Sequence, residues 1–265
     1  PEFPMDSHRL LLLSPVLAMG LAAQTPAAPP PPPSVLGFAL TGSTTVGSQY
    51  IFRGLTQTDG KATVQAELDL VHPAGFYASA AFSNISWITD QFSAGPVSAG
   101  IEVDLFGGYK WGFAKGWTLD LGACRYLYPG DYRSLPGYDP NTTEAYLGLS
   151  YSWASLKYSR VVSDGTFGIP DSDGSTYVDL SLAIPLGESG WTLLAHGGRT
   201  TYKTDDALSE FLDYTDYKLG ISKEVKGYVL TLAGTHADTK DAGYRNALGR
   251  NIGKDRVTFT LAKSF

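Results

Sequence analysis

Residues 62–70 read Ala62-Thr63-Val64-Gln65-Ala66-Glu67-Leu68-Asp69-Leu70. Ala62, Val64, Ala66, Leu68 and Leu70 fall on one face of an extended chain, and Thr63, Gln65, Glu67 and Asp69 fall on the other, because successive side chains of a strand point to opposite sides. The pattern recurs in Ala99, Ile101, Val103 and Leu105 against Ser98, Gly100, Glu102 and Asp104. It recurs again in Trp117, Leu119 and Leu121 against Thr118 and Asp120, and in Val257, Phe259 and Leu261 against Arg256, Thr258 and Thr260. Each segment therefore carries an oily face and a wet face.

Twelve such strands are expected, over 36–53, 61–72, 75–88, 97–111, 116–129, 141–153, 155–163, 175–186, 190–203, 212–225, 228–238 and 254–265. Their connections alternate in length. Tight turns at His72–Gly75, Gly112–Gly116, the Trp153-Ala154 corner, Gly187–Gly190 and Val225–Gly227 take turns with longer polar links at 54–60, 89–96, 130–140, 164–174, 204–211 and 239–253. A soluble sandwich has no reason to sort its loops in this way. An outer-membrane barrel does, with short periplasmic turns and long extracellular loops. In lipid every backbone polar group must be paired, so a spanning sheet must close on itself. The expected fold is all-β, a transmembrane antiparallel up-and-down barrel of about twelve strands over 36–265. An even strand number would put both termini on the periplasmic side.

Composition agrees. The chain has 265 residues, 43% of them hydrophobic, which excludes wholesale disorder. Beyond residue 22 no apolar run reaches the roughly 18 residues of a membrane helix. A net charge of −6 argues against a nucleic-acid partner, and one cysteine, Cys124, excludes a disulfide framework or a Cys-rich zinc site. Cys124 falls on an inward face and reads as an inert small side chain. Residues 1–4 precede Met5 and read as extraneous to the natural start. Arg9 followed by the run from Leu10 to Ala23 reads as a signal peptide over 5–23, and Pro29–Pro33 mark an extended linker over 24–35.

Aromatic residues cluster near strand ends: Tyr50, Phe52, Phe76, Trp87, Tyr109, Trp111, Trp117, Tyr126, Tyr128, Tyr151, Trp153, Trp191, Tyr202, Tyr217 and Tyr228. Interfacial girdles and ordinary β-propensity explain them equally well. The terminal alternating strand ends in Phe265, as in the outer-membrane signal read by the barrel-assembly machinery, with Lys263 departing from the usual apolar residue. The stretch Gly47-Ser48-Gln49-Tyr50-Ile51-Phe52-Arg53-Gly54-Leu55-Thr56-Gln57-Thr58-Asp59-Gly60-Lys61 resembles the opening signature of the TorF family of outer-membrane porins. His72–Ala78, Ile101–Tyr109, Tyr128-Pro129-Gly130 and Asn141–Tyr146 resemble later pieces of that family in the right order. The resemblance runs from about residue 40 to the C-terminus. It implies a Gram-negative outer-membrane barrel of undefined solute, exported by its signal peptide, and it carries over no catalytic residue.

If the apolar face meets lipid, the polar face lines a lumen. That assignment gives the acids Glu67, Asp69, Glu102, Asp104, Asp120, Glu144, Asp179 and Asp216 and the bases Arg53, Lys110, Lys157, Lys218 and Arg256. The expected function is a porin-like channel passing small hydrophilic solutes or cations. The alternatives are a plugged barrel whose charges only pair with one another, and a non-conducting surface-interaction barrel. An acidic excess speaks against the arginine-lined lumen of oligogalacturonate-type porins. Arg53, at the end of strand one beside Gln57 and Asp59, is the best single lumen-mouth residue, with a barrel-wall ion pair as its equal rival. Arg125 and Arg160 break the alternation near extracellular ends, either to reach lipopolysaccharide phosphates or because a bulge shifts the register. Expected partners are outer-membrane lipid, lipopolysaccharide, the assembly machinery at Phe265 and a small solute. His196 has no serine two residues away and His236 no adjacent serine, and no phosphate loop or metal-spaced cluster appears. Neither an enzyme nor a cofactor is therefore expected.

Overall fold

The computed structural model describes residues 34–92 and 97–265. The expected signal peptide, and the linker up to residue 33, lie outside the described residues.

Twelve antiparallel strands close into a barrel: β1 (Phe38–Gly47), β2 (Thr63–Val71), β3 (Phe76–Asn84), β4 (Ile101–Ala114), β5 (Trp117–Leu127), β6 (Thr142–Tyr151), β7 (Ala154–Val161), β8 (Thr176–Pro185), β9 (Trp191–Thr201), β10 (Tyr214–Val225), β11 (Tyr228–Ala237) and β12 (Arg256–Ser264). Each strand pairs with its sequence neighbours, and β1 pairs with both β2 and β12, so no edge remains. Phe265 and Gly42 seal the seam, each backbone N–H donating to the other's carbonyl. Ten residues at about 3.4 Å each, tilted about 45°, give a wall near 25 Å tall, the height of an apolar membrane band.

The alternation read from residues 62–70 holds around the wall. Val64, Leu68, Leu70, Phe82, Leu105, Leu121, Leu147, Leu156, Leu180, Leu219, Leu232 and Phe259 project outward and are exposed. The polar residues between them face inward and are buried, among them Gln65, Glu67, Asp69, Ser79, Ser83, Glu102, Asp104, Thr192, Asp216 and Ser222. Among the described residues this arrangement inverts that of a soluble protein, whose buried side chains are mainly apolar.

Connections at one rim are short, and Lys226 and Gly227, both at positive φ, make one of these turns in two residues. In another, Gly75 has φ of +102°, and a Cβ there would run into the Lys110 backbone. Gly75→Ala is expected to cost more than about 1 kcal/mol, read as a lowered midpoint in thermal unfolding of the detergent-folded barrel.

Aromatics gather at this short-turn rim. Phe76 packs on Tyr109 (5.0 Å), Trp117 on Tyr151 (4.7 Å) and Trp111 on Phe113 (5.5 Å), and Trp153, Trp191 and Tyr228 are also exposed there. Tyr217 is exposed at the opposite rim. These rings stand exposed at the rims. The other sequence candidates do not: Tyr50, Tyr126 and Tyr128 are buried inside, with Phe52 and Trp87 packed against them, and Tyr202 packs on a second interior cluster. Tyr126 and Tyr128 share the inward parity of Cys124, so they face the barrel interior.

The strand expected over 97–111 is instead Ile101–Ala114, with Ala99 buried ahead of it, and two further boundaries differ from expectation. β1 stops at Gly47, and residues 48–62 turn into the barrel, where Tyr50 is buried and Phe52 is half-buried against the interior cluster. β3 stops at Asn84 and α1 (Trp87–Gln91) follows, with Ile88 fully buried. The register runs unbroken past Arg125 and Arg160, and the irregularity recorded lies at Gly112 and Ala114. Both arginines therefore point outward by register and not through a bulge.

Candidate functional site in the barrel lumen

The strand register fixes which polar side chains face the barrel interior. Glu67 sits beside Ser43 and Ala81, Asp69 beside Thr41 and Ser79, Glu102 beside Ser83, and Asp104 beside Ala81 and Tyr126. These four acids crowd the β2–β4 wall. Tyr50 donates its hydroxyl proton to Glu102 at 2.7 Å, and Ser79 donates to Asp69 at 2.5 Å. Lower down, Lys110 faces Asp120 across the β4–β5 pair at 3.9 Å, and Tyr77 donates to Asp120 at 2.8 Å while contacting the Tyr146 hydroxyl. Gly122 leaves room for both phenols, since a Cβ there would lie 2.5 Å from the Tyr146 oxygen.

The far wall is mixed in sign. Lys157 lies opposite Asp179, and Lys218 opposite His196. His196 Nε2 is 3.0 Å from Asp216 and 2.9 Å from the Tyr177 hydroxyl, while its Nδ1 is 2.9 Å from Ser181 Oγ. Spacing along the chain missed this serine, because Ser181 is the cross-strand neighbour of His196 on β8 and lies fifteen residues away in sequence. The Nε2 edge is shared between Asp216 and Tyr177, so the array ties β8, β9 and β10 together across the inner wall.

Arg53 is not at the end of a wall strand. It forms the tip of a hairpin in which Ile51 and Phe52 pair with Thr56 and Leu55. Arg53 and Gly54 are the two turn residues, both at positive φ (46° and 75°), as a two-residue hairpin of the primed type requires. Gly54 passes against the wall so closely that a Cβ would lie 2.5 Å from that of Asp216. The guanidinium crosses the lumen to Glu144, donating at 2.7 Å, and lies over the rings of Tyr177 (4.2 Å) and Phe52 (4.9 Å). Both members of this pair are buried, with side chains 8% and 2% exposed.

Other loops fold over the hairpin. The Gln57 carbonyl accepts the backbone N–H groups of Ser86 and Trp87, and the Thr56 N–H donates to the Ile252 carbonyl. Arg250 pairs with buried Asp59 at 2.6 Å. Phe52, Tyr126, Tyr128 and Phe167 pack edge to face beneath them. A cavity of about 120 Å³ remains, lined by Phe52, Arg53, Glu144, Phe167, Tyr202 and Tyr244 among others. Burial pushes the Tyr202 phenol up to about 12 and raises that of Tyr244 as well, so both remain neutral at physiological pH. Among the described residues no cluster of His, Cys, Asp and Glu suits a metal ion.

The solved NanC porin resembles this barrel with a TM-score of 0.50 at 11% identity, covering 84% of this chain and 98% of that one. The KdgM porin, solved in complex with disordered oligogalacturonate, gives 0.47 at 7% identity over 86% of this chain and 98% of that one. Pseudomonas aeruginosa OprD gives 0.40 at 12% identity over 87% and 66%. At these identities the likeness is one of architecture, a closed porin-like barrel. No curated protein matches the chain. The chain belongs to Gcw_chp, a family described as a bacterial protein of unknown function, whose match spans residues 33–265.

Proposed function

We propose that this protein is an outer-membrane channel for small hydrophilic solutes or cations, with a net-acidic lumen narrowed by the Arg53 hairpin. The observation that carries the reading is the lining. Eight inward carboxylates (Glu67, Asp69, Glu102, Asp104, Asp120, Glu144, Asp179 and Asp216) face five inward bases (Arg53, Lys110, Lys157, Lys218 and Arg256). A lumen with that excess holds a negative potential and favours cations. The sequence resemblance to the TorF porins points the same way, as does a barrel whose outer face carries exposed leucines at mid-wall. In this reading the long-loop rim faces the outside of the cell and the short-turn rim the periplasm.

Planar-bilayer recording in a potassium chloride gradient tests the charge. A reversal potential of cation-selective sign is expected. Asp120→Asn with Asp179→Asn is expected to shift it toward zero, since these two lumen carboxylates are less deeply buried than Glu102 and Asp104. An anion-selective wild type overturns the acidic-lumen reading.

The packed plug favours one second reading, a non-conducting barrel filled by its own loops. Silence in the wild type, and in a variant whose hairpin residues 51–56 are replaced by a short Gly-Ser linker, would establish it.

A further inference from the structure

We propose that the outer face of β5, β7 and β9 at the long-loop rim is a binding surface for the phosphate groups of the outer-leaflet glycolipid, lipopolysaccharide. The proposal rests on the orientation given above, with that rim outward. Arg125, Arg160 and Arg199 occupy outward positions within the last residues of β5, β7 and β9. Neighbouring strands lie about 4.8 Å apart, so arginines on alternate strands stand about 10 Å apart along the rim. A charge on the lipid face costs little near the interface and about 2–4 kcal/mol at the midplane, which explains their confinement to strand ends. Elsewhere at the strand ends of this rim the outward positions carry no arginine or lysine: Val64, Phe82, Ile101 and Val257 are apolar, Asn84 is neutral, and His236 is paired with Asp255. The arginines therefore form one patch.

Their hydrogen bonding leaves donors free. Arg125 donates to the Thr143 hydroxyl on β6 at 2.6 Å and pairs with no carboxylate among the described residues. Arg199 donates to Thr215 at 3.2 Å and to Asp213 at 3.3 Å, with its side chain half exposed. The Arg160 side chain makes no hydrogen bond or ion pair among the described residues. Its Nη2 hangs over Gly174, 2.8 Å from where a Cβ would stand, beside the aliphatic stem of Lys203. Two cations thus share one spot, and the carboxylate paired there is Asp173, 3.9 Å from Lys203 Nζ. The lysines of the opposite rim are placed differently, Lys223 over the Trp191 ring and Lys263 over that of Tyr228. A guanidinium offers a planar fork of donors matched to two phosphate oxygens.

The lipid source follows from what lies below. Directly toward mid-wall from Arg160 is Tyr158, flanked in register by Leu147 and Val178, all exposed on the outer face. An acyl chain covers that strip when its phosphate sits on the arginines. Inorganic phosphate has nothing to place there.

The test is native mass spectrometry of the folded barrel in detergent, titrated with bisphosphorylated lipid A, with the same lipid dephosphorylated, and with inorganic phosphate. The wild type is expected to retain lipid A, and Arg125→Gln with Arg160→Gln and Arg199→Gln to weaken retention about tenfold or more, as loss of several charge-assisted contacts implies. Dephosphorylated lipid should bind both proteins equally and weakly. Arg160→Gln alone breaks no contact within the protein, so its several-fold loss is read if the triple variant misfolds. Equal retention of lipid A by wild type and variants overturns the proposal. So does displacement of lipid A by inorganic phosphate, which would mark a plain anion site. Conductance is not read in this assay, so a silent barrel leaves the result interpretable.

Discussion

Arg53→Ala is expected to lower the stability of the folded barrel by about 3–5 kcal/mol, the usual effect of removing one partner from a buried ion pair. It is also expected to raise single-channel conductance. The guanidinium bridges the lumen from the loop hairpin to Glu144, under the Tyr177 ring, and both partners are nearly fully buried. Without it Glu144 keeps the long 3.4 Å contact from the Tyr126 hydroxyl and loses its charge partner. Arg53→Ala with Glu144→Gln should therefore recover part of the lost stability, because the stranded charge is gone, while the lumen stays wider than in the wild type. Urea unfolding followed by tryptophan fluorescence measures the first effect, and bilayer recording measures the second. If the double variant is less stable than the sum of the singles, the pair is not what seats the hairpin.

Leu219→Arg should cost about 2–4 kcal/mol in folding into lipid vesicles, whereas Ile101→Arg should cost about 1 kcal/mol or less. Both side chains point outward and are well exposed, Leu219 at 65% and Ile101 at 53%. They differ in depth. Leu219 is near the middle of β10, level with Ala195 and Gly234, and Ile101 opens β4 at the long-loop rim. A barrel standing in water would tolerate both within about 0.5 kcal/mol, since surface substitutions away from special features cost little. The depth dependence therefore tests the membrane reading more sharply than either variant alone, and equal tolerance of the two would remove it.

The wall of this barrel was readable residue by residue. The acids named from the alternation share the inward parity of their strands, and so do Lys110, Lys157, Lys218 and Arg256, because parity along a strand is set by the backbone itself. Parity fails where a strand ends, and that is where the reading of Arg53 went astray. The sequence Tyr50-Ile51-Phe52-Arg53-Gly54 continues an aromatic, β-prone pattern, and nothing local says that it leaves the wall at Gly47. Ser181 beside His196 was hidden for a related reason. Cross-strand neighbours depend on register, and register is decided by the pairing of whole strands.

The amino-acid sequence by itself determined the strand count, the alternation of loop lengths and which side chains of each strand face outward. These are local properties, written at a spacing of two residues. Tertiary structure alone decided that the first long loop enters the lumen, that Arg53 meets Glu144 ninety-one residues away, and that aromatics from several loops close over them. Such contacts join segments far apart in the chain. They become favourable only after closure of the barrel has created an interior to fill.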